Sequence, residues 1–521
     1  METPSPPRWP NSALVVTVIL ALLLAVTGAW SIFSAGRLTR FNIEVDALKS
    51  ELRDAEDRIN ALEADLDAAG SSGDSAFGLD DLLAGLLGGH PEGGDLGSLE
   101  DLLRGLLGGG GDPGGFGDLF GGLGADSDLA SCMVGSPGQF DISQESLTAQ
   151  VDDISAAVED LRGLTFPEEV SPVFVTAEEM GGRVRALVAE SYPPELVDFD
   201  RRLMVALGMI EPGYDLLGAQ LDLLDSGVAG YYDPDTDELV VATPESDQPL
   251  PAIDQVTLAH ELVHTVTDAR LGFPPDLEDP MADPDHARAA QALIEGDATL
   301  AMQQFSLGAL DLQDQLGMAM DPRILGAQQE AGEFPYVLSD GLQFPYLEGM
   351  NFVCGLFSSG GWKAVNSAYD DVPASTAEIL FPERYAAGIA PVHPNPNGAP
   401  GTGWELLREV TFGAVDLLNL FSAPGDSPKV ALSDPRGRVE AWGGGMATVW
   451  VQGELTAVGL ALVDRRVAPS PILCDSITEW ETAAFGDDPN NLVAIVCDGR
   501  QVRVGIAPDA ETADLIADGR S

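Results

Sequence analysis

The stretch TLAHELVHTVTDA, residues 257 to 269, constrains this chain more than any other part of it. His260 and His264 stand four residues apart, and Glu261 follows the first. On a helix that spacing sets both imidazoles on one face, one turn apart. Two imidazoles so placed can share one ion at about 2.0–2.1 Å. Glu261 falls about 100° round the helix, within reach of a water held on that ion. Leu258, Leu262 and Val266 line a different face and can fix the helix against a core. The chain has 5 histidines in 521 residues, so the pattern carries information. By chance it is expected only about 0.003 times in such a chain.

Two imidazoles do not complete a zinc site, because a catalytic zinc takes three protein ligands and keeps one position open. No histidine follows His264 at the short metzincin spacing. Some thirty residues later comes ARAAQALIEGDATLAMQQF, a strongly helical segment bearing Glu295 and Asp297. Apolar neighbours turn Glu295 toward a core, where a carboxylate needs a partner. A glutamate from a second helix is the ligand set of gluzincins, so His260, His264 and Glu295 are the expected zinc ligands. Asp268, one turn beyond His264, and Asp297 are placed to accept hydrogen bonds from the ligand imidazoles. Each equally suits a helix-end or surface carboxylate.

The rest of the chain divides by composition. It has 84 acidic against 26 basic residues, a formal net charge of −58 that repels phosphate backbones and speaks against a nucleic-acid partner. After a short N-terminal tail (1–12), residues 13–34 form an uncharged apolar run, and about 20 such residues cross a bilayer core. The expectation is an uncleaved single-pass anchor. Arg8 precedes the run while Arg37 and Arg40 follow it, which alone favours an inside location. Four cysteines, an even number, instead suit two disulfides in an oxidising space, so the catalytic domain is expected outside the cell membrane. Cys474 and Cys497 lie in one small module and are expected to pair. From Leu38 to Leu66 apolar residues recur at alternating steps of three and four, reading 38–69 as a coiled coil and the protein as a homo-oligomer. Residues 70–130 carry imperfect Gly/Leu/Asp-rich repeats and read as a flexible linker.

The remainder predicts an α+β protein. Residues 135–425 read as mainly helical, with a small antiparallel sheet from GVAGYYDPDTDELVVAT. The segment ELVVAT suits either an edge strand that pairs with substrate backbone or a purely structural hairpin. Residues 440–521 read as two hairpins and two helices, a small α+β module, with Asp498-Gly499 as a hairpin turn.

The stretches AGYYDPDTDELVV, TLAHELVHTVTDA, ALIEGDATLAM, FPYLEGMNFVCGLFSSGGWKAVNSAYDDVPASTAEILFPERY and GWELL together resemble a family of bacterial and archaeal gluzincin-type metallopeptidases. The resemblance spans about residues 165–420. It implies a zincin-like domain, zinc on His260, His264 and Glu295, and Glu261 as general base. Where that family has a histidine before Pro-Glu-Lys-Tyr, this chain has Phe381, and Arg384 replaces the lysine. Tyr346 lies in the segment resembling the family's Phe-Pro-Tyr element and leads the candidates for stabilising an oxyanion, ahead of Tyr336, His286 and His393. A tyrosine buried beside Phe344 fits equally well. The expected function is membrane-anchored, zinc-dependent hydrolysis of peptide bonds in a peptide or protein substrate. The alternatives are a surface scaffold with a zinc-stabilised, non-catalytic head, or a zinc amidase acting on cell-wall peptides.

Overall fold

Side-chain caps mark the starts of several helices in the N-terminal half. Helix α1 (Leu147–Arg162) opens at Ser146, whose side chain accepts from the Ala149 N–H, and closes at Gly163 with φ 64°. A three-residue strand, β1 (Val173–Val175), leads into α2 (Ala177–Ser191), which starts with a Thr176/Glu179 capping box. Helix α3 (Pro194–Ala206) carries proline in its first turn. Strands β2 (Gly230–Asp233) and β3 (Glu238–Ala242) precede α4 (Ala252–Leu271). Helix α5 (Pro284–Ala309) is capped by Asp283, which accepts from the N–H groups of Asp285 and His286. Helix α6 (Tyr336–Gly360) completes this half.

The C-terminal half comprises β4 (Glu405–Thr411), α7 (Ala414–Ser422), β5 (Trp442–Gln452), β6 (Leu455–Asp464), α8 (Ile472–Phe485), β7 (Val493–Asp498), β8 (Gln501–Ile506) and α9 (Ala510–Asp518). This computed structural model describes Cys132 and residues 140–519, apart from 226–229, 235, 243–247, 275–276, 278–281, 320, 322, 324–333, 466–471 and 487–491. The apolar run 13–34, the heptad segment 38–69 and the repeats of 70–130 lie outside the described residues. Among the described residues no helix is long and apolar enough to cross a membrane.

The class is α+β, and both sheets differ in detail from the sequence expectation. The first sheet has order β1-β3-β2, with β3 parallel to β1 and antiparallel to β2. It is therefore mixed rather than antiparallel, because β1 is too short to show a period of two in sequence. The pairing also places β3 in the centre, flanked by β1 at residues 240–242 and by β2 at residues 238–241. The second sheet is antiparallel with order β4-β5-β6-β8-β7. Its hairpin turn at 499–500 has Gly499 at φ 63°, which suits glycine. Strand β4 lies in the stretch read as helical. A register shift between Leu406 and Arg408 breaks the alternation that would have revealed it.

One apolar cluster joins Leu293 of α5, Phe352 of α6, Leu417 of α7, Trp442 and Leu460 of the sheet, and Trp480 of α8. The boundary expected between 425 and 440 is thus crossed by a continuous core and by β4. A second cluster wraps α4 with Ile154 and Val158 of α1, Val241 of β3, and Ala298 and Phe305 of α5. Cys132 is bonded to Cys354 on α6, and Cys474 on α8 to Cys497 on β7.

Candidate metal centre

Helix α4 is buried on nearly every side from Ile253 to His264, so its polar residues must find partners inside the protein. The four-residue spacing directs the rings of His260 and His264 to one place, with Nε2 atoms 2.9 Å apart. Glu295 arrives there from α5, its Oε2 lying 3.2 Å from His260 Nε2 and 3.4 Å from His264 Nε2. All three residues are buried. Ligands at 2.0–2.1 Å on a tetrahedral ion are separated by about 3.3 Å. The three observed separations bracket that value, and two imidazoles with a carboxylate suit a borderline divalent cation. The residues present therefore fit a metal, and the group can hold one.

Electrostatics favour the ligating forms of His260 and Glu295. Burial lowers the His260 pKa to about 4, leaving a neutral imidazole with a lone pair to give. Burial alone would raise Glu295, but the two imidazoles, His264 foremost, pull it down to about 2. Burial lowers His264 as well, yet the Glu295, Glu261 and Asp297 carboxylates outweigh it and leave its pKa raised. Among the described residues, Nδ1 of each histidine has no hydrogen-bond partner.

Glu261 occupies the flank of the group against β2. A Cβ on Gly230 would lie 3.3 Å from Glu261 Cγ, so glycine there leaves room for the carboxyl group. Neither Glu261 oxygen has a hydrogen-bond partner among the described residues; the Tyr232 N–H approaches without hydrogen-bond geometry. Burial raises its pKa to about 8.

Tyr346 is fully buried, its ring 6.2 Å from the His260 ring at an interplanar angle of 23°. Burial, and then the facing Glu295 carboxylate, push its pKa far up, so the hydroxyl remains a donor toward a ligating residue. Asp268 accepts from the Tyr232 hydroxyl at 3.0 Å and from the Phe273 N–H at 3.1 Å. Asp297 accepts from Arg162 at 2.9 Å and from the Tyr369 hydroxyl at 2.8 Å. Neither aspartate hydrogen-bonds a ligand imidazole. Of the other candidates, Tyr336 donates to Asp340, the His286 ring meets the Pro373 carbonyl oxygen, and His393 is exposed.

Sequence reasoning missed three neighbours of the group. Arg162 is fully buried, paired with Asp297 and lying 4.2 Å over the Trp362 ring. Phe273 sets its ring edge-on to His264 at 6.2 Å. Gly230 is the third. Only the run of small and aromatic residues around Gly230 gave any local sign; Arg162 and Asp297 lie 135 residues apart.

No protein-family model matches this chain, and no curated protein matches it. Among solved structures it is similar to a provisionally named hydrolase with a novel fold from Chloroflexus aurantiacus, at 18% identity, covering 50% of this chain and 95% of that one with a TM-score of 0.32.

Proposed function

We propose that this chain is a zinc-dependent metallopeptidase of the gluzincin type, with a zincin-like domain held to the cell membrane by residues 13–34. In this reading the catalytic domain lies outside the cell and residues 38–69 join copies of the chain. The observation that supports it best is the meeting of His260, His264 and Glu295 beside a buried Glu261 carboxyl that accepts no hydrogen bond among the described residues.

His260, His264 and Glu295 would hold the ion. When bound, a zinc ion supplies Lewis-acid polarisation and makes water acidic near neutral pH. Glu261 takes a proton at one carboxylate oxygen and returns it to the leaving amine. Burial favours its neutral form, whereas a cation on the His264 side favours the carboxylate that accepts the proton. The Tyr346 hydroxyl faces the Glu295 carboxylate, where it can steady that ligand.

The test separates two carboxylates. Purified protein should carry close to one zinc per chain, lost in a His260→Ala, His264→Ala double variant. Glu261→Gln should keep the zinc and lose about 10²–10⁴ in peptide hydrolysis. Glu295→Gln should weaken metal binding, since an anionic ligand becomes neutral. A second reading, a metal that stiffens a non-catalytic head, draws support from the complete burial of His260, Glu261 and Glu295. Zinc-loaded wild type that cleaves no member of a broad peptide library decides for that reading.

A further inference from the structure

A buried ion pair adjoins the metal group without hydrogen-bonding either ligand imidazole. Arg162, the last residue of α1, and Asp297, two residues past Glu295 on α5, both have fully buried side chains. Arg162 Nε lies 2.8 Å from Asp297 Oδ1, and Nη2 donates to Oδ2 at 2.9 Å, so the guanidinium grips both carboxylate oxygens. Nη2 also donates to Asn366 Oδ1 at 2.9 Å, and the guanidinium lies over the Trp362 ring. Asp297 Oδ2 accepts in addition from the Tyr369 hydroxyl, at 2.8 Å. That hydroxyl meets the Thr267 side chain on α4. Thr267 in turn donates to the carbonyl oxygens of Val263, at 2.7 Å, and His264, at 3.2 Å.

The path thus runs from α1 across α5, through the residue that closes the short helix Trp362–Ala368, to the backbone of a ligating histidine. It ties together α4 and α5, the two helices that supply ligands. Stability gives little reason for such a pair. Taking an arginine and an aspartate out of water costs about what their attraction returns, and packed apolar residues in their place are often neutral or stabilising. Apolar packing lacks direction, however, whereas a guanidinium fork fixes a carboxylate in angle as well as distance. Ligands on an ion must hold their distances to within about 0.2 Å. We infer that Arg162 and Asp297 are positioning residues for the metal. They set α5 against α4 so that Glu295 meets His260 and His264 at ligating separations, and Tyr369 and Thr267 carry the constraint to the His264 backbone. The inference rests on those three residues holding a metal, and it extends the site to side chains that touch neither ion nor substrate.

Three measurements on the full chain test this: zinc affinity by competition with a chromophoric chelator, the visible spectrum of the cobalt(II)-loaded form, and thermal melting of the metal-free protein. An Arg162→Met, Asp297→Leu double variant removes both charges and leaves neither alone in the interior. It should keep a melting temperature close to that of wild type, yet bind zinc about 10–100-fold more weakly and show altered cobalt bands. Tyr369→Phe cuts the link toward α4 without changing charge and should weaken zinc about tenfold. Being nearly isosteric, it keeps the test decisive should the double variant fail to fold. Arg384→Lys is the control. Arg384 is also buried, but it donates to the Trp442 and Glu440 carbonyl oxygens, so its replacement should lower the melting temperature and leave zinc affinity unchanged. Zinc affinity equal to wild type in either folded variant, or an equal loss in Arg384→Lys, would overturn the proposal. Wild type that takes up no zinc would refute the metal reading itself, and this proposal with it.

Discussion

Tyr346 touches two ligating residues at once, stacking on His260 and facing Glu295 with its hydroxyl. That placement suits a positioning role, which can be told from that of an oxyanion donor. Tyr346→Phe keeps the ring, so zinc affinity by chelator competition should fall about 10–100-fold. An oxyanion role would instead lower kcat at full metal occupancy. A second residue carries a pH signature. Burial raises the Asp285 pKa to about 7, well above its ordinary value, despite the hydrogen bonds from Thr376. The folded state therefore holds this proton longer than the unfolded chain does. The contribution is complete below about pH 4 and is lost as pH rises through about 7. In Asp285→Asn the decline in stability across that interval should be shallower, as denaturant unfolding at pH 5 and pH 8 can measure. A decline as steep as in wild type would remove Asp285 as its source.

Helix pairing brings Glu295 and Tyr346 together. Helices α5 and α6 cross at Gly296 and Gly349, and a Cβ at 296 would lie 2.2 Å from the Gly349 carbonyl. Backbone cannot yield as a side chain can, so Gly296→Ala must push the helices apart. The expected cost is about 1–3 kcal/mol in denaturant unfolding, together with weaker zinc binding, because Glu295 lies next to 296 and Tyr346 on the opposing helix. Gly182→Ala, in α2 with nothing within 4 Å of the new Cβ, should be neutral or stabilising by about 0.4–1 kcal/mol. Most helices of the N-terminal half were legible from apolar spacing, which acts over one or two turns. Strands β1 and β4 were not. One has three residues, and the other carries a bulge on an exposed edge.

Across the whole chain, the heptad segment makes a prediction separable from the metal group. Residues 38–69 should self-associate as a parallel dimer, with Val45, Ile59 and several leucines on the seam. A monomeric peptide in sedimentation, with or without lipid confinement, would remove the oligomer from the proposal. By itself the sequence determined the α+β class, the helix carrying His260 and His264, and Glu295 as the carboxylate most in need of a buried partner. Those readings depend on period, spacing and neighbours, which a chain displays locally. Tertiary structure alone decided that β3 is central, that β4 and the C-terminal sheet share a core with α5 and α6, and that Asp297 answers to Arg162. It also turned Tyr346 onto Glu295. Each of these depends on which distant surfaces become neighbours, and burial fixes that choice by matching whole faces at once; no local spacing records it.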